Sequence, residues 1–393
     1  MKTNSQHITV FEHESLRIDR GEQRLSKLQL ESLQLFYGEN GVPYYNLIYK
    51  GVKFCEYVGV LQIGNTTIEV LPKADKSENK ARWRKLLINM LHAIGIFNIH
   101  APSTSNLQLK TNSILDLYFE LYVTELEYLM HRGLAKKYRK KVGNINSLKG
   151  SLQFSKNISK NLVHKERFYV NYTSYDKSHT LHAILFKALK LLKQINLNTQ
   201  LSSRIGALLL DFPIQKDIKI TEALFQRMAL DRKTTHYKNA LEIARLILLN
   251  YHPDVSRGSN SVLALMFDMN TLWEQFVYAS LKKNKTNKDS ITAQTSKRFW
   301  KPRDGRSTFM KPDIVIKRGN EDCFVLDTKW KNLKYYNPSP DDLRQMFVYM
   351  KYFGAKKVAL VYPGTEYRNQ SGQYYEHKKI YSKALSDEEC SII

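Results

Sequence analysis

The sequence has few of the features that stabilise or localise secreted and membrane proteins. Its 393 residues include three cysteines, Cys55, Cys323 and Cys390, too few and too scattered for a disulfide framework or a cysteine metal cluster. No run approaches the roughly 20 apolar residues that cross a bilayer. The opening MKTNSQHITV lacks the apolar stretch of a signal peptide. A reducing cytoplasm is the expected compartment. Neither G-x-x-x-x-G-K-[ST] nor G-x-G-x-x-G occurs, so the chain is not expected to bind a nucleotide itself. Histidines such as His131, His164, His179 and His182 are dispersed, with no metal-ligand pair in a helical or Cys-rich setting. Internal repeats and low-complexity tracts are also missing.

Acids are scarce beside bases. There are 61 Lys plus Arg against 37 Asp plus Glu, a net charge of +24. That excess repels itself unless a polyanion is near, which points to nucleic acid or an anionic membrane. A generally lysine-rich proteome would give the same total, so the distribution matters more. Between Lys136 and Arg167 lie ten Lys or Arg and one acid, Glu166. Within it, Lys136, Lys137, Arg139, Lys140 and Lys141 surround Tyr138. Gly143 and Gly150 interrupt any membrane-surface helix there, so nucleic acid is favoured over lipid.

What is present fits a protein of two to three domains. Apolar content of 42% and aromatic content of 11% support folded cores. Residues 1–75 read as β-rich, with strands over 52–61 and 66–71 joined at Gly64-Asn65. After a polar linker at 74–79, a helix is predicted over 81–97, with Leu87, Leu91 and Ile94 at helical spacing, and another over 114–134. The basic stretch reads as a loop leading to a short strand or hairpin near 150–155. Residues 179–250 read as largely helical, and Ser256–Ser261 as a boundary loop. A helix is then expected over 261–283, with Met266, Met269, Trp273 and Phe276 as its packing stripe. Strands over 309–317, 323–330 and 356–362 follow, the last two separated by a helix from Pro340 to about Phe353. That order is an α/β layout, a central sheet covered by helices.

Two acids stand at informative places in it. Asp313 follows Pro312 and opens the apolar run Ile314-Val315-Ile316, while Asp327 closes Phe324-Val325-Leu326. Lys329 is two residues further on and shares the face of Asp327 on a strand. If the two strands pair across a turn near 318–321, Asp313 approaches Asp327 from the neighbouring strand. Two carboxylates beside an ammonium suit phosphodiester cleavage. One or two carboxylates hold Mg²⁺, the ion activates a water, and the lysine orients that water or stabilises the developing charge. Asp313 and Asp327 are the expected metal ligands, with the Thr328 carbonyl as a third. An ordinary strand-end ion pair between Asp327 and Lys329 is the competing reading. Gln345 and Tyr349, four apart on the following helix, could brace the site or simply pack. Glu274, four residues after Asn270, is either an additional acid of the site or an exposed helix acid.

At Pro312-Asp313, then Leu326-Asp327-Thr328-Lys329, then Gln345 and Tyr349, the sequence resembles the PD-(D/E)xK nuclease superfamily in its Gln-x-x-x-Tyr branch. Other segments are similar to the McrC family: Tyr57–Gln62 with Ile68–Lys73, Arg132-Gly133-Leu134 with Tyr138, Leu148–Leu152, and Met269-Asn270 with Trp273-Glu274 and Phe276-Val277. The likeness covers roughly residues 40–362. It departs at Leu181-His182, where many relatives lead one to expect Asn, and nothing aligns after Gly364.

The resemblance implies the nuclease subunit of a modification-dependent restriction system. Its partner would be McrB, an AAA+ GTPase that recognises methylated double-stranded DNA. The expected architecture is an α+β N-terminal region with a β-rich start (1–75) and a helical, partner-docking middle (76–255). An α/β nuclease domain of PD-(D/E)xK type, a mixed sheet flanked by helices, follows at 256–393. Mg²⁺ is the expected cofactor, and no membrane is involved. The basic segment 136–167 would grip DNA or face the ring. A stand-alone nuclease and a non-catalytic activator of a ring NTPase are the alternatives.

Overall fold

The computed structural model describes residues 6–73, 79–95, 113–252, 261–287, 289–319, 322–331, 333, 337–364, 369–375 and 385–393, the side chains of 385–388 excepted. The chain forms two compact units, one from residues 98–263 and the other from residues 6–97 together with 264–393. The boundaries expected at residues 75 and 255 cut across them. Most of the 74–79 linker and of the 256–261 boundary loop lie outside the described residues.

The unit of residues 98–263 is mainly helical. Helices Ile114–Arg132, Thr180–Ile195, Thr199–Asp211 and Lys238–Leu249 pack on one another. Leu121, Leu126, Leu129, Ile184, Leu189, Ile205 and Ile247 are buried between them, each contributing roughly 1.5–3 kcal/mol by leaving water. Tyr122 places its hydroxyl in this core without leaving a polar atom unpaired, donating to Leu185 O at 2.7 Å.

The basic stretch is not a loop. Lys137–Ile145 is a nine-residue strand, antiparallel to Phe168–Asp176 and completed by the short strand Ser151–Leu152. No residue of Lys137–Ile145 is fully buried, so the apolar–polar alternation that marks a half-buried strand is absent from its sequence. The ribbon is tied down at its base: Tyr237 Oη takes the Ala135 N–H at 2.8 Å and lies 3.0 Å from His182 Nε2. His182 is fully buried, and burial lowers its pKa to about 4. The residue at the unexpected position is thus a neutral structural contact.

In the other unit, Gln6–Phe11 runs parallel to Thr66–Leu71, which forms the expected hairpin with Tyr57–Ile63. The predicted 52–61 strand is divided. Gly51–Phe54 belongs to a small separate sheet with Ser15–Arg17 and Tyr45–Ile48. On the far side of Tyr57–Ile63 lies Val262–Asp268, a strand where a helix start was predicted. A seven-residue apolar run satisfies either template, and here an open sheet edge decides. Gly59 makes the approach possible: at φ +136° it adopts a backbone few side chains tolerate, and a Cβ there would lie 2.1 Å from Leu265 O. The helix therefore begins only at Met269, capped by Asp268, and Met266 is not part of its stripe.

The second large sheet of this unit has the order Asp289–Ala293, Ile314–Arg318, Asp322–Thr328, Lys357–Val361, Leu385–Ile392, Gln370–Tyr375. Its first three strands are antiparallel, and the pairings on either side of Lys357–Val361 are parallel. The predicted 309–317 strand is two, Thr308–Met310 and Ile314–Arg318, because Pro312 has no N–H for a ladder. Thr308–Met310 pairs with Lys297–Trp300 in a two-stranded ribbon of its own. Helix Pro340–Phe353 starts at the Ser339 cap with proline in its first turn and ends at left-handed Gly354. It covers the sheet with Met346, Tyr349 and Met350 against Val315, Val325, Val358 and Leu360.

Candidate active site

The antiparallel register Ile314↔Leu326 through Arg318↔Asp322 sets Asp313 beside the end of the neighbouring strand. Asp313 Oδ2 accepts from Thr328 N–H at 2.6 Å and from Thr328 Oγ1 at 2.8 Å. Asp327 and Lys329, on either side of Thr328, share a face of their strand, and the antiparallel register puts Asp313 opposite Asp327. Lys329 Nζ is 2.6 Å from Asp327 Oδ2. The contact is an ion pair: Oδ2 accepts no well-angled hydrogen bond, although Asp327 is 2% exposed. Burial, and next the Asp313 charge, raise the Asp327 pKa from 3.8 to about 6 against the opposing pull of Lys329. Burial works against the Lys329 charge too, but Asp327, Asp342 and Asp313 outweigh it and the ammonium pKa lies above its ordinary value.

Gln345 and Tyr349 join this group. Lys329 Nζ donates to Gln345 Oε1 at 3.1 Å, Gln345 Nε2 to Tyr349 Oη at 3.0 Å, and Tyr349 Oη to Lys311 O at 3.3 Å. An ammonium has no acceptor, so it fixes which way the amide faces and gives the chain one direction. Tyr349 both packs and polarises. Its ring lies in the core, and burial followed by the Asp327 charge pushes the hydroxyl pKa to about 12.

Glu274, half-buried on the helix Met269–Lys283, lies close enough to feel both aspartates. Burial raises its pKa, and the Asp313 and Asp327 charges add to that. Gln294 holds it: its side-chain amide reaches the Glu274 carboxylate at 2.9 and 3.2 Å, and its N–H donates to Asp313 O at 2.7 Å. Sequence reasoning missed Gln294, whose only local sign is a left-handed φ of +50°. Asn270 is exposed.

Trp330 completes the surround. Its ring lies 5.5 Å from that of Trp273, whose indole N–H donates to Val361 O at 3.3 Å. Trp330 Nε1 donates to Glu12 Oε1 at 2.7 Å, and the same oxygen takes Lys73 N–H at 2.7 Å. Glu12 is 4% exposed, and burial raises its pKa.

The other predicted group is split by its pairing. Asp176 takes Arg139 at 3.0 and 3.2 Å and Lys141 at 2.7 Å, and these contacts hold its carboxyl well below the usual range. Lys137 and Lys140 are exposed, and Lys136 Nζ lies 5.7 Å from the Tyr175 ring centroid. Tyr175 itself stacks on Tyr138, with centroids 4.5 Å apart. These residues belong to the unit of residues 98–263, and the carboxylate group to the other.

Residues 52–363 match a protein family described as McrBC 5-methylcytosine restriction system component. Among solved structures, the chain is similar to one in a half-complex refined from a tetradecameric assembly of Thermococcus gammatolerans McrB AAA+ hexamers with bound McrC. The TM-score is 0.73 at 20% identity, over 99% of this chain and 94% of that one. A cryo-EM structure of the Thermococcus gammatolerans McrBC complex gives a TM-score of 0.55 at 19% identity, over 71% of this chain and 88% of that one. At these identities the likeness is one of fold. No curated protein matches the chain.

Proposed function

The chain belongs to the family of McrBC 5-methylcytosine restriction system components, and on that footing we propose that it is the nuclease subunit of a modification-dependent restriction complex. It is read as a Mg²⁺-dependent DNA endonuclease of PD-(D/E)xK type that docks on an AAA+ GTPase of the McrB kind. The observation that carries this reading is the convergence of Asp313, Asp327 and Lys329, braced by Gln345, at the ends of paired strands. The McrB hexamers in the similar solved structure support the partner. The net charge of +24 supports a polyanionic substrate.

The donor set fits a hard divalent cation. Among the described residues, no three His, Cys, Asp or Glu side chains form a group that could hold an ion. Mg²⁺, however, is commonly held by one or two carboxylates, with water and phosphate oxygens filling the rest. Asp327 is a buried carboxylate that spends Oδ2 on the Lys329 ammonium, and Asp313 spends Oδ2 on Thr328. Asp313, Asp327 and the Thr328 carbonyl would hold the ion. When bound, it would acidify a water and neutralise charge on the phosphate.

The chain's own groups do the rest. Lys329 has three N–H bonds; one faces Asp327 and one Gln345, which leaves a third for a phosphate oxygen or the attacking water. Because Gln345 is fixed through Tyr349 to the Lys311 carbonyl, the ammonium is aimed before substrate arrives, the condition under which a charge stabilises a transition state most. Glu274, held by Gln294, places a third carboxylate nearby.

The test uses the chain assembled with its AAA+ partner, scoring cleavage of modified duplex DNA and GTP hydrolysis separately. Lys329→Ala should reduce cleavage by roughly 10²-fold or more and leave GTP hydrolysis intact. If neither activity changes, the site is wrong. A wild-type chain that stimulates the ring but never cuts is a regulator, and one that cuts efficiently without the ring is a stand-alone nuclease.

A further inference from the structure

The segment from Lys297 to Lys311, KRFWKPRDGRSTFMK, carries six bases and one acid, Asp304. It folds as an antiparallel ribbon, Lys297–Trp300 against Thr308–Met310, with a register shift between Arg298 and Trp300. Such an isolated pair is marginal in water unless something braces it, and this one leans on the helix that bears Gln345 and Tyr349. Tyr352 Oη donates to Arg298 O, Phe299 meets the Tyr352 ring edge-on at 5.6 Å, and Lys297 Nζ lies 4.5 Å from the Phe353 centroid. At its other end it runs through Lys311 and Pro312 into Asp313.

Apart from Met310, which packs against the core below the helix, the ribbon is largely exposed. Trp300 is 59% exposed and Phe309 57%. Among the described residues, Arg298, Lys301, Arg303 and Arg306 have no ion-pair partner. This contrasts with the ribbon of the other unit, where Asp176 neutralises Arg139 and Lys141. Unpaired cations clustered on one arm repel each other and demand an anion from outside. Large exposed rings beside them add contact surface that plain solubility does not require.

We propose that this ribbon is a duplex-gripping arm of the nuclease, with Lys301, Arg303 and Arg306 on DNA phosphates and Trp300 and Phe309 against sugar and base edges. It rests on the nuclease reading above and says how the substrate is held there. A two-stranded β-ribbon has the dimensions of the DNA major groove. Phosphate contacts set register rather than sequence preference, which suits a subunit whose target choice lies elsewhere. The covalent run into Asp313 and the brace on the Gln345 helix join the grip to the site of cutting. Duplex DNA is favoured over a membrane or an acidic protein because that continuity leads to carboxylates suited to phosphodiester chemistry.

The experiment measures binding of the full chain to a fluorescent duplex in EDTA, so that no cutting intervenes. Neutralising three contacts in Lys301→Ala/Arg303→Ala/Arg306→Ala should lower the slope of log K against log salt by roughly 2.7. The wild type would then lose about forty-fold more affinity than the variant between roughly 50 and 200 mM salt. Arg303→Lys/Arg306→Lys should keep the wild-type slope, and Trp300→Ala should weaken binding with the slope unchanged. A triple variant with wild-type slope and affinity overturns the proposal. So does one that keeps DNA binding but loses binding to anionic vesicles or to the AAA+ partner. The readout is binding, so it stands apart from the Lys329→Ala cleavage test, which decides the nuclease reading alone.

Discussion

Replacing Asp327 with Asn tests the electrostatics of the site directly. Two effects compete at this carboxyl: burial disfavours its charge, and Lys329 favours it. Burial, helped by Asp313, wins and raises the pKa from 3.8 to about 6. Between those values the folded chain holds a proton that the unfolded chain has released. Stability therefore falls as pH rises through that window, and the cost is fully present above pH 6. Moving this carboxyl from 3.8 to about 6 corresponds to about 3 kcal/mol in total. Between pH 4 and 7.5, Asp327→Asn should gain about 2 kcal/mol relative to wild type, on the order of 5 °C in melting temperature. The measurement is thermal or urea unfolding of both chains at several pH values without divalent metal. The difference between them cancels every titrating group that does not feel the Asp327 charge. If the ion pair dominated, the folded pKa would lie below 3.8 and the difference would move the other way. A flat or reversed trend refutes the reasoning. The same variant should not cut DNA.

Two further outcomes follow from the fold. Gly59→Ala should destabilise by several kcal/mol, because its left-handed φ and a carbonyl 2.1 Å from the new Cβ both oppose it; a melting temperature equal to wild type would show that the two strands separate easily. In the helical unit, Lys140→Ala should leave stability unchanged, since Lys140 is exposed. Lys141→Ala removes one of two cations on Asp176 and should cost at most about 1 kcal/mol. If Lys140→Ala is the more damaging to stability, the pairing on Asp176 is misassigned.

The acids and lysine of the site were legible because strand pairing is local there. Two apolar runs separated by a short turn leave few registers, and the one with Asp313 beside the end of the partner strand also buries Val315 and Val325. What brings Gln294 to Glu274 was not legible, since it depends on where an edge strand ends. The Gln6–Phe11 strand was invisible for another reason, its parallel partner being sixty residues away. Val262–Asp268 was misread because its apolar run fits a helix as well as a strand, and the edge that chooses between them is two hundred residues earlier. The strands of the Lys297–Met310 ribbon hold no fully buried residue, so the pattern that usually announces strands was never written into them.

The unit that carries Asp313 and Asp327 is assembled from both ends of the polypeptide: Val262–Asp268 lies beside Tyr57–Ile63, and the Trp330 indole rests on Glu12. During synthesis, residues 6–97 must wait while more than a hundred and fifty others are made, on the order of ten seconds or more at ribosomal speed. Until then their sheet lacks a neighbour along one edge and Glu12 lacks its indole. The group around Asp313 and Asp327 is therefore completed only near the end of translation, and a chain released early has no means of completing it.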